Sequence, residues 1–240
     1  MLMQPRPSVT YPCRDGRPVA ETDTHRRIMR DLVYGLRQHF RSRNDVCVAG
    51  ALFLFYEEGN PKRFVVPDVF VSKDVPREKR ENYLMWVEGK PPDVVIEVTS
   101  QNTKTEDLVM KKNLYARLGV PEYYLFDPLQ EYLPEPMVAF DLRADGYASR
   151  SLGVGYSPAL DLEFVVEGQS LKLRDPETRQ TLSTFKHLPP SQMRVRAALQ
   201  AAEKARRAAE RRADAAEARA AELEVELRTL VSRIQRVGAK

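Results

Sequence analysis

The spacing of apolar residues divides the chain into segments of different period. In "ETDTHRRIMRDLVYGLRQHF", His25, Ile28, Leu32, Leu36 and Phe40 recur every three or four residues, which predicts a helix capped by Thr22 or Asp23. "DVCVAGALFLFYEEGNPKRFVVPDVFVSKD" reads instead as two strands joined by a turn over 57–62. Residues 73–91 carry many charges with Pro76 and Pro91, and read as irregular. In "PPDVVIEVTS" the β-branched run Val94, Val95, Ile96 and Val98 predicts a buried strand. A helix follows, with Thr103 and Glu106 spaced as a capping box and Leu108, Leu114 and Leu118 on its apolar side. Gly119 and Pro121 are its stop signals, and "PEYYLFDP" is the next strand. Strand–helix–strand implies a parallel pair with a right-handed crossover. Shorter strands are expected near 136–142, 147–151, 161–166 and 170–174, with Asp145-Gly146 as a hairpin turn.

From about Ser191 the composition changes to Ala, Arg, Glu and Leu. Val195, Leu199 and Ala202 begin steps of four and three that run to Leu223, Leu227, Leu230, Ile234 and Val237, with one break at Arg206. Such heptads predict a coiled coil that is weak in its alanine-rich middle and tightest at its Leu/Ile end. A single solvated helix would show a similar composition. The expected organisation is a domain over 1–190 and a helical coiled-coil tail over 191–240, with the tail joining copies into a homo-oligomer.

Charge adds an asymmetry. Residues 191–240 hold 12 Lys+Arg against 7 Asp+Glu, whereas the remainder nets −1. The domain is therefore not a bulk polyanion binder by charge alone. Arg26, Arg27, Arg30, Arg37, Arg41 and Arg43 cluster on or beside the first helix, as a solvated face or as a grip for phosphates. Two cysteines, Cys13 and Cys47, and three scattered histidines argue against a disulfide framework or a Cys- or His-type zinc site. No apolar run is long enough to cross a bilayer and the N-terminal segment lacks signal-peptide character, so a reducing cytoplasm is the expected location, away from membranes.

Two acidic residues interrupt apolar strands, Asp68 in "VVPDVFV" and Glu97 in "VVIEVTS". A carboxylate buried there without a partner is strongly destabilised or takes up a proton. On adjacent strands the two would repel unless a cation stood between them. Mg²⁺, hard and oxygen-seeking, meets that need; pairing each carboxylate with a nearby arginine meets it too.

The longer string "PDVFV … PPDVVIEVTSQNTKTEDLVMKKNLYARLGVPEYYLFDP" closely resembles the Uma2 family of proposed endonucleases, within the PD-(D/E)XK, restriction-endonuclease-like superfamily. The resemblance spans roughly residues 15–170. It implies an α/β core with a central mixed sheet flanked by helices, and Mg²⁺-dependent hydrolysis of nucleic acid, DNA first, with Mn²⁺ as a possible substitute. Carried over by position, Asp68 and Glu97 correspond to the metal-binding acids, and Glu21 to a further metal-holding acid near the first helix. A backbone carbonyl near Val98 or Thr99 could also ligate. The superfamily's E-x-K lysine would fall on Thr99, which has no ammonium. Uma2-like sequences place a lysine on the following helix, which points to Lys111, with Lys112 as its neighbour and competitor. Asp93, four residues before Glu97, reads as a strand-entry residue. The alternative function is an inactive nuclease-fold module that assembles through its coiled coil.

Overall fold

The computed structural model describes residue 11 and residues 22–100, 103, 105–150, 155–185 and 206. All elements described below belong to the unit Met1–His187. The expected coiled-coil tail, apart from Arg206, and Glu21 lie outside the described residues.

The first helix, α1, is Asp23–His39, and Thr22 caps it by accepting a hydrogen bond from His25 N at 3.2 Å. The two long strands expected next are each broken in two. The first becomes β1 (Val46–Gly50) and β2 (Leu54–Phe55); the second becomes β3 (Phe64–Val65) and β4 (Val69–Lys73). The breaks fall at Ala51, whose φ is +48°, and beside Pro67, which has no N–H for a ladder. The segment read as irregular contains β5 (Tyr83–Leu84) and the short α2 (Met85–Glu88). After them come β6 (Val94–Val98), a π-helical turn over Glu106–Lys111, α3 (Lys112–Leu118) and β7 (Glu122–Phe126). The C-terminal strands are β8 (Met137–Arg143), β9 (Gly146–Arg150), β10 (Gly155–Ser157), β11 (Leu162–Glu167) and β12 (Ser170–Arg174).

The central sheet is mixed, in the order β1-β4-β6-β7-β8-β9. β6 and β7 are parallel, as their helical crossover requires, and the other neighbours are antiparallel. Period-two alternation sends the two sets of side chains into two cores. Val69, Val71, Val94, Ile96 and Val98 join Ile28, Leu32 and Leu36 of α1. Phe70, Val95, Tyr123 and Leu125 join Tyr115 of α3. Helix α1 packs so close to β1 that a Cβ on Gly50 would stand 2.8 Å from Val33 Cγ2. Gly119 ends α3 with φ +83°, a left-handed conformation that suits glycine. Among the described residues no helix is long and apolar enough to cross a membrane.

A second sheet, β10-β11-β12, is tied to the first through Glu122. Its carboxylate accepts from Tyr124 OH at 2.8 Å, Ser157 Oγ at 2.5 Å and Ala159 N at 2.9 Å. Glu122→Ala strips the acceptor from three donors, two of them in buried contacts. It should lower stability by about 2–4 kcal/mol in urea unfolding. An unchanged midpoint would show that the two sheets hold together without it.

Candidate active site

The register that pairs Val69 with Ile96 sets Asp68 opposite Glu97 at the end of the β4–β6 ladder. There the two side chains replace ladder bonds. Asp68 N donates to Glu97 Oε2 at 3.2 Å, and Val98 N donates to Asp68 Oδ2 at 2.7 Å. Alternation puts Glu97 on the same face as Val95, which belongs to the core shared with α3. From that helical side Tyr115 OH donates to Glu97 Oε1 at 2.7 Å, and Lys111 Nζ donates to Oε2 at 3.0 Å. Glu97 is thus fully buried in an apolar strand yet has three donors, one of them an ammonium.

The expected residues Asp68, Glu97 and Lys111 stand together, delivered by the start of β4, the end of β6 and the crossover helix. Two further groups join them. Asp107 Oδ1 lies 3.1 Å from Lys111 Nζ, and His25 Nε2 lies 3.2 Å from Asp68 Oδ1. His25 carries the period of an apolar helix face, so its spacing reads as core. Asp107 is visible only in the spacing D-x₃-K-x₃-Y of Asp107, Lys111 and Tyr115, which the capping-box reading of Thr103 and Glu106 obscures. That box does not form. The Thr103 hydroxyl accepts from Ser100 N at 3.1 Å, and the helix enters through the π-helical turn.

Lys112, the competitor of Lys111, does not join the cluster. Its Nζ sits over the Phe140 ring instead, 4.0 Å from the centroid, where the ring face attracts a cation. Asp93 closes strand ends, accepting from Lys73 N at 2.6 Å and from Lys90 Nζ at 2.9 Å. The helix arginines are largely engaged within the domain. Arg27 donates to Ser170 Oγ, Arg30 lies over Phe185, Arg37 donates twice to Val48 O, and Arg43 binds Asp45. Arg37 thereby covers a carbonyl of edge strand β1.

Burial raises the Glu97 carboxyl well above the ordinary carboxylate range, against the pull of Lys111. It raises Asp107 also, again opposed by Lys111. Burial works against the Lys111 charge, but Glu97, Asp107 and Asp68 together hold its ammonium above the usual lysine value. The cluster is nearly closed. The side chains of Glu97 and Asp107 are 0 % and 1 % exposed, so access runs past Lys111 at 12 % and Asp68 at 15 %.

Whether these residues suit a divalent metal is a question of donors and charge. All three carboxylates offer hard oxygen, and they face one ammonium, which leaves the cluster short of positive charge. Thr99 Oγ1, two residues past Glu97, is buried and has no hydrogen-bond partner among the described residues. Among the described residues no three His, Cys, Asp or Glu side chains already form a group able to hold a metal. The donors are hard oxygens of the kind Mg²⁺ or Mn²⁺ takes, and the Lys111 ammonium occupies the place between Glu97 and Asp107.

The family model described as "Uma2: Putative restriction endonuclease" matches residues 2–134, a span that includes His25, Asp68, Glu97, Asp107 and Lys111. No curated protein matches the chain. Among solved structures, the chain is similar to one described as a "putative nuclease belonging to DUF820 from Anabaena variabilis ATCC 29413". The TM-score is 0.43 at 16% identity, covering 58% of this chain and 75% of the other.

Proposed function

We propose that this chain, which belongs to the Uma2 family, is a metal-dependent endonuclease with a restriction-endonuclease-like core that hydrolyses phosphodiesters of nucleic acid, DNA first, in the cytoplasm. The observation that carries this reading is that Asp68, Glu97 and Lys111, from three separate elements, meet around the Glu97 carboxylate, Asp68 through its backbone N–H and Lys111 through its ammonium. Asp68 and Glu97 would hold the metal, with Glu21 as a third candidate from outside the described residues. Bound there, Mg²⁺ or Mn²⁺ would neutralise phosphate charge and lower the pKa of its water. Lys111 would donate to the scissile phosphate and stabilise charge that develops in the transition state. Tyr115 keeps Glu97 in one orientation by donating to Oε1. His25 restrains Asp68 from the side of α1.

A metal that binds only the folded state raises its melting temperature by mass action. Mn²⁺ should therefore raise the melting temperature of the wild type and leave the Asp68→Asn/Glu97→Gln double variant unmoved, because a neutral amide is a poor ligand. An equal rise in both proteins would refute the site.

A second reading is a nuclease-fold module without turnover. The bridge that Lys111 already makes between two buried carboxylates favours it, since such a network satisfies itself. A metal-responsive wild type that leaves single- and double-stranded DNA and RNA intact would select this reading. Under either reading the tail would join copies. Deleting residues 191–240 should lower the oligomeric state in light scattering and leave the domain folded; an intact chain that is monomeric at tens of micromolar would contradict this.

A further inference from the structure

Asp107 is the one buried carboxylate of the cluster that the metal-holding pair does not use. It comes from the π-helical turn Glu106–Lys111, and its Oδ1 touches Lys111 Nζ at 3.1 Å. In an α-helix, residues four apart diverge by about 40° around the axis. Such a pair shares a face on an ordinary helix, and it does so in the wider π-turn as well. Asp107 and Lys111 therefore meet in the same place, and Tyr115 continues the row four residues on. The winding is also held from outside. Tyr123 OH, from β7, donates to Asp107 O at 3.0 Å in a buried contact. The two residues at the outer side of the turn, Val109 and Met110, are 53 % and 68 % exposed, so apolar packing does not explain the distortion.

We propose that Asp107 is a positioning residue that anchors the Lys111 ammonium, so that the amine stays in the site when another cation engages Glu97. This rests on the nuclease reading for its purpose, but the anchoring is a property of the chain alone. Glu97 Oε2 serves both Asp68 N and Lys111 Nζ. An ammonium held only there would be cast loose whenever that oxygen was taken. With Asp107 as a second partner, Lys111 can leave Glu97 without leaving the cluster.

The test is the rate at which acetic anhydride labels Lys111, read by mass spectrometry, on the full chain with and without Mn²⁺. In the wild type Lys111 should be labelled slowly in both conditions. Asp107→Asn keeps shape and removes charge, and should raise metal-free labelling by about tenfold, the equivalent of one charge-assisted hydrogen bond. Mn²⁺ should raise it further in that variant. Asp107→Glu, which restores the charge at some steric cost, should bring protection back. A purely structural role predicts the reverse order, with Asn tolerated and Glu disruptive. Wild-type labelling in metal-free Asp107→Asn would overturn the anchor, as would labelling of Asp107→Glu as fast as Asn. A Mn²⁺-insensitive rate in Asp107→Asn would contradict release from Glu97. Labelling is read equally well on a protein that cleaves nothing, so failure of the nuclease reading and failure of the anchor are separate results.

Discussion

Replacing Lys111 with methionine is expected to abolish cleavage and to cost about 3–5 kcal/mol of stability at neutral pH, the usual range when one partner of a buried ion pair is removed. Methionine retains most of the side-chain length, so the loss reports charge more than volume. Without the ammonium, burial and the neighbouring carboxylates act on Glu97 and Asp107 against only the Tyr115 and Thr103 hydroxyls, and both folded carboxyls sit above their unfolded values. A carboxyl raised in the folded state keeps a proton that the unfolded chain has lost. Stability from that source is complete below the unfolded pKa and falls as pH rises toward the folded one. The deficit of Lys111→Met relative to wild type should accordingly be larger near pH 8 than near roughly pH 5.5 in urea unfolding. A deficit independent of pH would mean that Lys111 contributes packing and not charge. Lys112→Met, by contrast, removes only the contact with Phe140, and should leave cleavage intact.

Glu97→Gln should separate chemistry from folding. The amide matches the carboxylate in shape. Its oxygen can accept from Lys111 and Asp68 N, while its NH₂ can face the Tyr115 hydroxyl, which also accepts. Lys111 keeps Asp107, and one buried charge is gone. Urea unfolding should therefore show a midpoint near that of the wild type. Under the proposed reading cleavage should fall by about 10³-fold or more, because a metal held there would lose a charged ligand. Equal cleavage by the two proteins would remove Glu97 from the chemistry.

The parts of the fold that follow from local chemistry are legible in the amino-acid pattern. Helix α1, strands β6 and β7 and their parallel crossover come from apolar periods and from the Gly119 stop. Asp68 and Glu97 stand out because strand alternation leaves no bland place for a carboxylate. What was hidden has physical reasons. Strands β2, β3 and β5 have two residues each, too few to establish a period. The break at Ala51 needs a left-handed backbone that no glycine announces. His25 reaches Asp68 from a position that the helical period assigns to core. Asp107 depends on a π-helical winding, and apolar spacing on α3 carries no trace of the change from one helical pitch to another. Lys112 turns to an aromatic ring supplied by β8, a contact set by tertiary packing and not by its distance from Lys111.

The most direct measurement is the conversion of supercoiled plasmid to nicked and linear forms by wild type in Mg²⁺, by wild type in excess chelator, and by Glu97→Gln in Mg²⁺. Cleavage is expected in the first condition alone. Nicking at similar rates in all three, or no nicking in any of them with either Mg²⁺ or Mn²⁺, would contradict a metal-dependent DNA-cleaving centre built on Asp68, Glu97 and Lys111.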